Sequence, residues 1–214
     1  SCSMGDAGIP WGAKRLKAVA VRGTGRVPIA DPAALEEARR LWNEALYRRQ
    51  VKPPDLNARF RLIAGFGEWG GIPVRNFTRP EDGEVWCRSL REDAPKWKTK
   101  AVGSWQCEMA CHHETTVTTG ALPGSYASGF GSEVFEEAGP NVGIMDAGTS
   151  MALAGLVDGL GMDSSEIPRT IATVMEAYNT ERLTQQQVDG LNLSWGNHEA
   201  VVELLYKAVH REGI

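Results

Sequence analysis

Long hydrophobic runs are missing from this chain of 214 residues. No stretch of about 18 uninterrupted apolar residues occurs, and no charged-then-apolar leader opens it, so no membrane span is expected. Cysteine is scarce. Cys2, Cys87, Cys107 and Cys111 are too few and too irregularly spaced for a disulfide framework, so a soluble protein of a reducing, cytoplasmic compartment is expected. Charge of one sign is lacking too. The 23 basic and 27 acidic residues are well mixed and leave a net charge of −4, which argues against a phosphate-backbone binder and against nucleic acid as a partner. Internal repeats and low-complexity tracts are absent.

What is present suffices for a core. At 42% hydrophobic the chain can form one large domain, or one domain plus a piece of another. Seven tryptophans and 24 glycines suit clefts lined by aromatics and close backbone approaches. The chain opens at Ser1-Cys2-Ser3 without an initiator Met and closes at Arg211-Glu212-Gly213-Ile214, just after a strong helical pattern. Both ends read as those of a piece of a longer protein.

The most informative stretch is Ser104-Trp105-Gln106-Cys107-Glu108-Met109-Ala110-Cys111. Cysteines at C-x2-C-x3-C spacing wrap one corner of an iron–sulfur cluster, because short loops let successive sulfurs converge. Here Cys107 and Cys111 hold the second and third places and Ser104 the first. A serine oxygen ligates iron less well than a soft thiolate. Other readings of the same residues are open. Cys87 could substitute, the thiols could be inert and buried, or Cys107 and Cys111 could hold zinc with His112 or His113. Adjacent histidines on an extended backbone point opposite ways, so only one would join easily.

The rest of the chain reads as mainly α with a few short strands. Leu16–Val21 is a β-branched run ended by Gly23-Thr24-Gly25, the pattern of a strand and turn. Asp31-Pro32 starts a helix with apolar residues Leu35, Leu41, Trp42 and Leu46, running to Arg49. A shorter helix is expected from Asp55 to Ala64. Residues 67–104 show no clear period and read as mostly loop. Thr115–Thr119 reads as a short strand, followed by a Gly-rich loop from Gly120 to Gly131. Asp146 can cap a helix that leads to Gly159-Leu160-Gly161, and Ile167–Tyr178 forms another. Thr184 and Gln187 form a capping box, and Asn197 caps a last helix with Val201, Leu204, Leu205 and Val209 on one face.

Four collinear segments resemble the tungsten-pterin aldehyde:ferredoxin oxidoreductase family over essentially the whole length. They are Trp11–Gly25, which contains Lys14-Arg15-Leu16-Lys17-Ala18-Val19; Gly71-Ile72-Pro73-Val74-Arg75-Asn76-Phe77; the Cys107/Cys111 loop; and Gly139-Pro140-Asn141 through Gly161-Met162-Asp163, with Trp195-Gly196-Asn197-His198 beyond. The resemblance implies that residues 1–30 are the end of a β-rich pterin-binding domain. Residues 31–214 would then be a helical middle domain with a cluster loop at 104–111. It implies a bis-pterin tungsten (or molybdenum) site and a [4Fe–4S] cluster held by Cys107, Cys111 and Ser104, with a fourth ligand outside this chain.

By the same resemblance, Ser3, Met4 and Gly5 lie in the pterin loop of the first domain, Met4 standing where the family has arginine. Asn76 orders a loop facing the site. Asp163 and Ile167 bracket a second pterin loop, whose residues would equally serve as a helix-entry cap. Glu133, and with it Glu137, occupy the segment that carries a proton-transfer carboxylate. Gly129 stands where some benzoyl-coenzyme A reductase relatives have a metal-binding cysteine. The implied activity is oxidation of aldehydes to carboxylic acids, with electrons passed to ferredoxin or another electron-transfer subunit. Flanking domains or companion chains would complete the site, and a homo-oligomer is possible. The alternative is a non-catalytic, divergent relative acting as a subunit-contact or zinc-binding module, a reading that the serine at position 104 and the Met4 substitution favour.

Overall fold

The computed structural model describes residues 8–48, 58–103, 112–128 and 132–213. It is mainly helical, with one small sheet. The helices are α1 (Gly8–Ala13), α2 (Pro32–Arg48), α3 (Ala58–Gly65), α4 (Gly83–Asp93), α5 (Ser132–Glu137), α6 (Ala147–Gly159), α7 (Glu166–Asn179) and α8 (His198–His210). The strands are β1 (Lys98–Val102), β2 (His112–Thr116) and β3 (Tyr126–Ser128). No helix among the described residues is long and apolar enough to cross a membrane.

The core is built around α6, which packs against α4, α5, α8 and β3. Its sequence, Ala-Gly-Thr-Ser-Met-Ala-Leu-Ala-Gly-Leu-Val-Asp-Gly, is small and apolar nearly all round, as a central helix requires. Asp146 caps it, its Oδ1 accepting from Thr149 N–H at 2.6 Å. Glycine on this helix lets neighbours touch its backbone. A Cβ built on Gly155 would lie 2.3 Å from the Tyr126 carbonyl oxygen of β3.

The three strands pair antiparallel in the order β1-β2-β3, with Thr99 opposite Thr115 and Glu114 opposite Ser128. Side chains alternate as the pleat dictates: His113, Thr115 and Ala127 are buried, while His112 and Tyr126 face solvent. Beneath the sheet lies an aromatic cluster. Phe60 meets Trp97 edge-on at 5.6 Å, stacks on His113 at 5.0 Å and approaches Phe135 at 6.1 Å. Trp86 of α4 is fully buried, and its indole N–H donates to Ser150 Oγ at 3.0 Å.

Four element readings are corrected here. Leu16–Val21 forms no strand, because among the described residues no partner strand lies beside it, and Val21 is 88% exposed. The stretch read as loop between 67 and 104 contains α4 and β1. α4 carries its buried residues Gly83, Trp86, Cys87 and Leu90 at helical spacing, but over only three turns and within a stretch rich in Gly, Pro and charge. The expected strand at Thr115–Thr119 is β2, shifted upstream, and part of the Gly-rich loop is β3. The segment 8–45 keeps its large apolar side chains bare, with Val27 at 80% and Trp42 at 61% exposed.

Candidate functional site

α6 ends through Gly161, whose φ of +73° turns the chain, with Gly161 N–H donating to Asp158 O and Met162 N–H to Val157 O. Asp163 follows, buried, and its Oδ1 accepts from the N–H groups of Ser165 and Glu166, each at 2.9 Å. One carboxylate thus satisfies two donors at the entry of α7. Between this corner and α1 lies a cavity of about 390 Å³, lined by Gly8, Ile9, Gly161, Met162, Asp163, Glu166 and Ile167. That volume is within the range of small-molecule sites.

Of the residues expected at the site, Asp163 and Ile167 come together here. Asn76 does not line this cavity. It belongs to a turn clasped against Pro140–Val142, with Asn76 N–H donating to Asn141 O at 3.0 Å and its amide to Glu176 on α7. Glu137 is buried at the end of α5. Its Oε1 accepts from Arg169 Nε at 2.9 Å and its Oε2 from the Asn141 amide at 2.5 Å. Burial pushes the Glu137 carboxyl above the ordinary carboxylate range, and the bonds from Arg169 and Asn141 only partly offset this. Arg169 also bonds Glu166, which connects the buried carboxylate to the rim of the cavity.

Glu133 sits on α5 one turn before Glu137, and its side chain lies outside the described residues. Ser3, Met4, Gly5, Ser104, Cys107, Cys111 and Gly129 lie outside them as well. The described residues on either side of 104–111 are paired, Val102 standing opposite His112. Of the two histidines after it, His113 is stacked in the aromatic core and His112 is exposed. Cys87 is in the core beside Gly67, and burial pushes its thiol up to about 11, which keeps it protonated at neutral pH. Among the described residues no group of three or more His, Cys, Asp or Glu is placed to hold a metal ion.

Sequence reasoning missed Arg169, Asn141, Gly161 and Met162 as neighbours of the site. Arg169 carried a signal, standing three residues after Glu166 at the start of a helix, a spacing that brings the two charges together. Asn141 stood out only as part of the Gly139-Pro140-Asn141 match, which gave no hint of its bond to Glu137 four residues before.

With this geometry in hand, comparison with known proteins is decisive for the family. The model of the aldehyde ferredoxin oxidoreductase family, domains 2 and 3, matches residues 60–214. The chain belongs to the aldehyde ferredoxin oxidoreductase family. It is 28% identical to the tungsten-containing aldehyde ferredoxin oxidoreductase of Pyrococcus horikoshii and 27% identical to that of Pyrococcus furiosus, in each case over 98% of this chain. It is 25% identical, also over 98% of the chain, to an aliphatic sulfonate oxidoreductase, WOR-like subunit, of Pyrococcus furiosus. These matches cover 35%, 34% and 34% of the relatives, so the chain spans about a third of their length.

Proposed function

We propose that this chain is a part of a tungsten-pterin oxidoreductase and contributes one wall of its cofactor site. The observation that carries the reading is the cavity at Gly161–Ile167, in a chain whose family includes tungsten-containing relatives. The residues fit a pterin. Gly161 lets backbone approach a flat ring, and the carboxylates of Asp163 and Glu166 suit the amino and ring N–H donors of a pterin edge. The chemistry such a group supplies is a two-electron oxidation, in which an aldehyde and water give a carboxylic acid, two protons and two electrons.

The chain's own residues would serve that chemistry by placement and proton handling. Asp163 fixes the first turn of α7 and with it the positions of Glu166 and Ile167 on the cavity rim. Glu133 would exchange a proton at the reacting centre, while Glu137, one turn on, holds the α5 segment against α7 through Arg169. Cys107 and Cys111, with Ser104 as a weaker third, would bind a [4Fe–4S] cluster that passes electrons to ferredoxin, the fourth ligand coming from outside this chain. A second reading, a module that contacts another subunit without catalysis, is supported by the bare apolar side chains of residues 16–42.

Pterin content tests the first reading. The chain purified without oxygen together with the segments that complete its site, then oxidised and extracted, is expected to release a fluorescent pterin. The variant Ile167→Trp, which fills the cavity, should release none, whereas Thr173→Ala on the exposed side of α7 should match the parent. Absence of pterin from the parent chain, or equal release from Ile167→Trp, would overturn the reading.

A further inference from the structure

Ile167 on α7 stands between two hollows. One is the cavity already described, whose charged lining residues are Asp163 and Glu166. The other is a groove of about 160 Å³ between α7 and α8, walled by Ile167, Ile171 and Val174 of α7 and by Leu204 and Ala208 of α8. Ile167 lines both, so the two adjoin. The walls follow from helical spacing. Residues i, i+4 and i+7 of α7 share a face, as do i and i+4 of α8. Ile171 and Leu204 are buried and form the floor, while Thr170 and Ala208 lie exposed along the edge. Ala208 keeps the groove open, because a longer side chain there would reach across it.

Charge gives the groove a direction. At the cavity end, Glu137, Asp163 and Glu166 gather around one cation, Arg169, which bonds both Glu137 and Glu166. No lysine or arginine lines the cavity among the described residues. The N–H groups that begin α7 are answered by Asp163, so the helix N-terminus offers no anion site. At the other end Lys207 is matched by Asp189, Nζ to Oδ2 at 3.3 Å. Carboxylates are therefore in surplus beside the cavity, and neither sign is in surplus beside Lys207.

We propose that the two hollows form one site for a linear alkylammonium, with its cationic head against Asp163 and Glu166 and its hydrocarbon tail along the groove. A cation lessens the surplus of negative charge, whereas an anion adds to it. Glu166 is largely exposed, so the head sets the sign and the tail supplies most of the affinity. α7 rises about 1.5 Å per residue, so Ile167 to Val174 spans about 10 Å, the reach of roughly six to eight carbons. The inference shares Ile167 with the cofactor reading but does not need it. Thr170→Trp, which covers the groove and leaves the cavity, is expected to lose alkylammonium binding while keeping the pterin release of the parent.

The test is a titration of the full chain, ¹³C-labelled at its isoleucine, leucine and valine methyls, with n-hexylammonium chloride. Sodium hexanoate and methylammonium chloride at equal ionic strength are the comparisons. The Ile171 methyl resonance, assigned by its loss in Ile171→Val, reports on the groove. It is expected to shift saturably with hexylammonium and not with methylammonium. Affinity should rise about two- to fourfold per methylene from the butyl to the octyl compound. Hexanoate should bind about tenfold or more weakly, and Glu166→Gln should narrow that difference. An Ile171 resonance that hexylammonium leaves unmoved overturns the proposal, as do equal binding of hexanoate and an affinity independent of tail length. These three outcomes are read on the parent chain, so they decide the matter even where a variant folds poorly.

Discussion

Arg169 on α7 closes over the carboxylate of Glu137 on α5, Nε to Oε1 at 2.9 Å, and ties the segment that carries Glu133 to the helix that rims the cavity. The pair is unequal. Glu137 is 3% exposed, whereas the Arg169 side chain is 44% exposed and shared with Glu166. Desolvation therefore dominates on the acid side, and the Glu137 carboxyl is raised.

A pH dependence follows from that sign. A carboxyl raised in the folded state holds its proton more tightly there than in the unfolded chain. Its contribution to stability is full below the ordinary carboxylate value and is lost as pH rises through the raised one. The melting temperature of the parent minus that of Glu137→Gln should therefore fall as pH is increased from about 4 to about 8. A difference that grows with pH would show that attraction to Arg169 outweighs burial.

The contact between α6 and β3 predicts opposite outcomes for two glycines of one helix. Gly155→Ala forces a Cβ to within 2.3 Å of the Tyr126 carbonyl oxygen and should destabilise by about 1–3 kcal/mol. Gly159→Ala meets nothing within 4 Å and should be neutral or stabilising by up to about 1 kcal/mol. Chemical denaturation of both variants checks the pair.

Asp163 holds two backbone donors at the entry of α7, independently of any ligand. Removing the acceptor in Asp163→Ala should cost about 1–2 kcal/mol, and Asp163→Asn, which keeps an oxygen, should cost less. Thermal melts of the two variants separate this structural role from pterin content.

Asn76→Asp would set a carboxylate against Glu176, to which the Asn76 amide now donates. Like charges there should destabilise by about 1–2 kcal/mol near neutral pH. The loss should shrink when both acids are protonated, so melts at acidic and neutral pH are the check.

Capping chemistry made much of this fold legible in the sequence. Asp31, Asp146 and Asn197 cap α2, α6 and α8 as their positions foretell, and Thr184 with Gln187 closes a capping box on the short 3-10 turn Gln185–Val188. These are local signals, complete within a few residues. The true limits of β2 and β3 were not legible, because they are set by strand pairing and by packing against α6, whereas α4 carried a helical stripe of only three turns amid Gly, Pro and charge. The site divides the same way. Asp163 and Ile167 could be read from one loop, but the cluster of Glu137, Asn141 and Arg169 spans 32 residues and exists only once α5 and α7 meet. The strand expected at Leu16–Val21 shows the converse, a strong local propensity with no partner strand among the described residues.

The most direct measurement is elemental analysis of the chain purified without oxygen together with the segments that complete its site, reporting W, Mo, Fe and Zn per chain. The account predicts tungsten (or molybdenum) retained in the parent and lost in Ile167→Trp, with roughly four irons where the Cys107/Cys111 loop assembles its cluster. Zinc alone, or no metal at all, would contradict it and leave a structural member of the family without the cofactor.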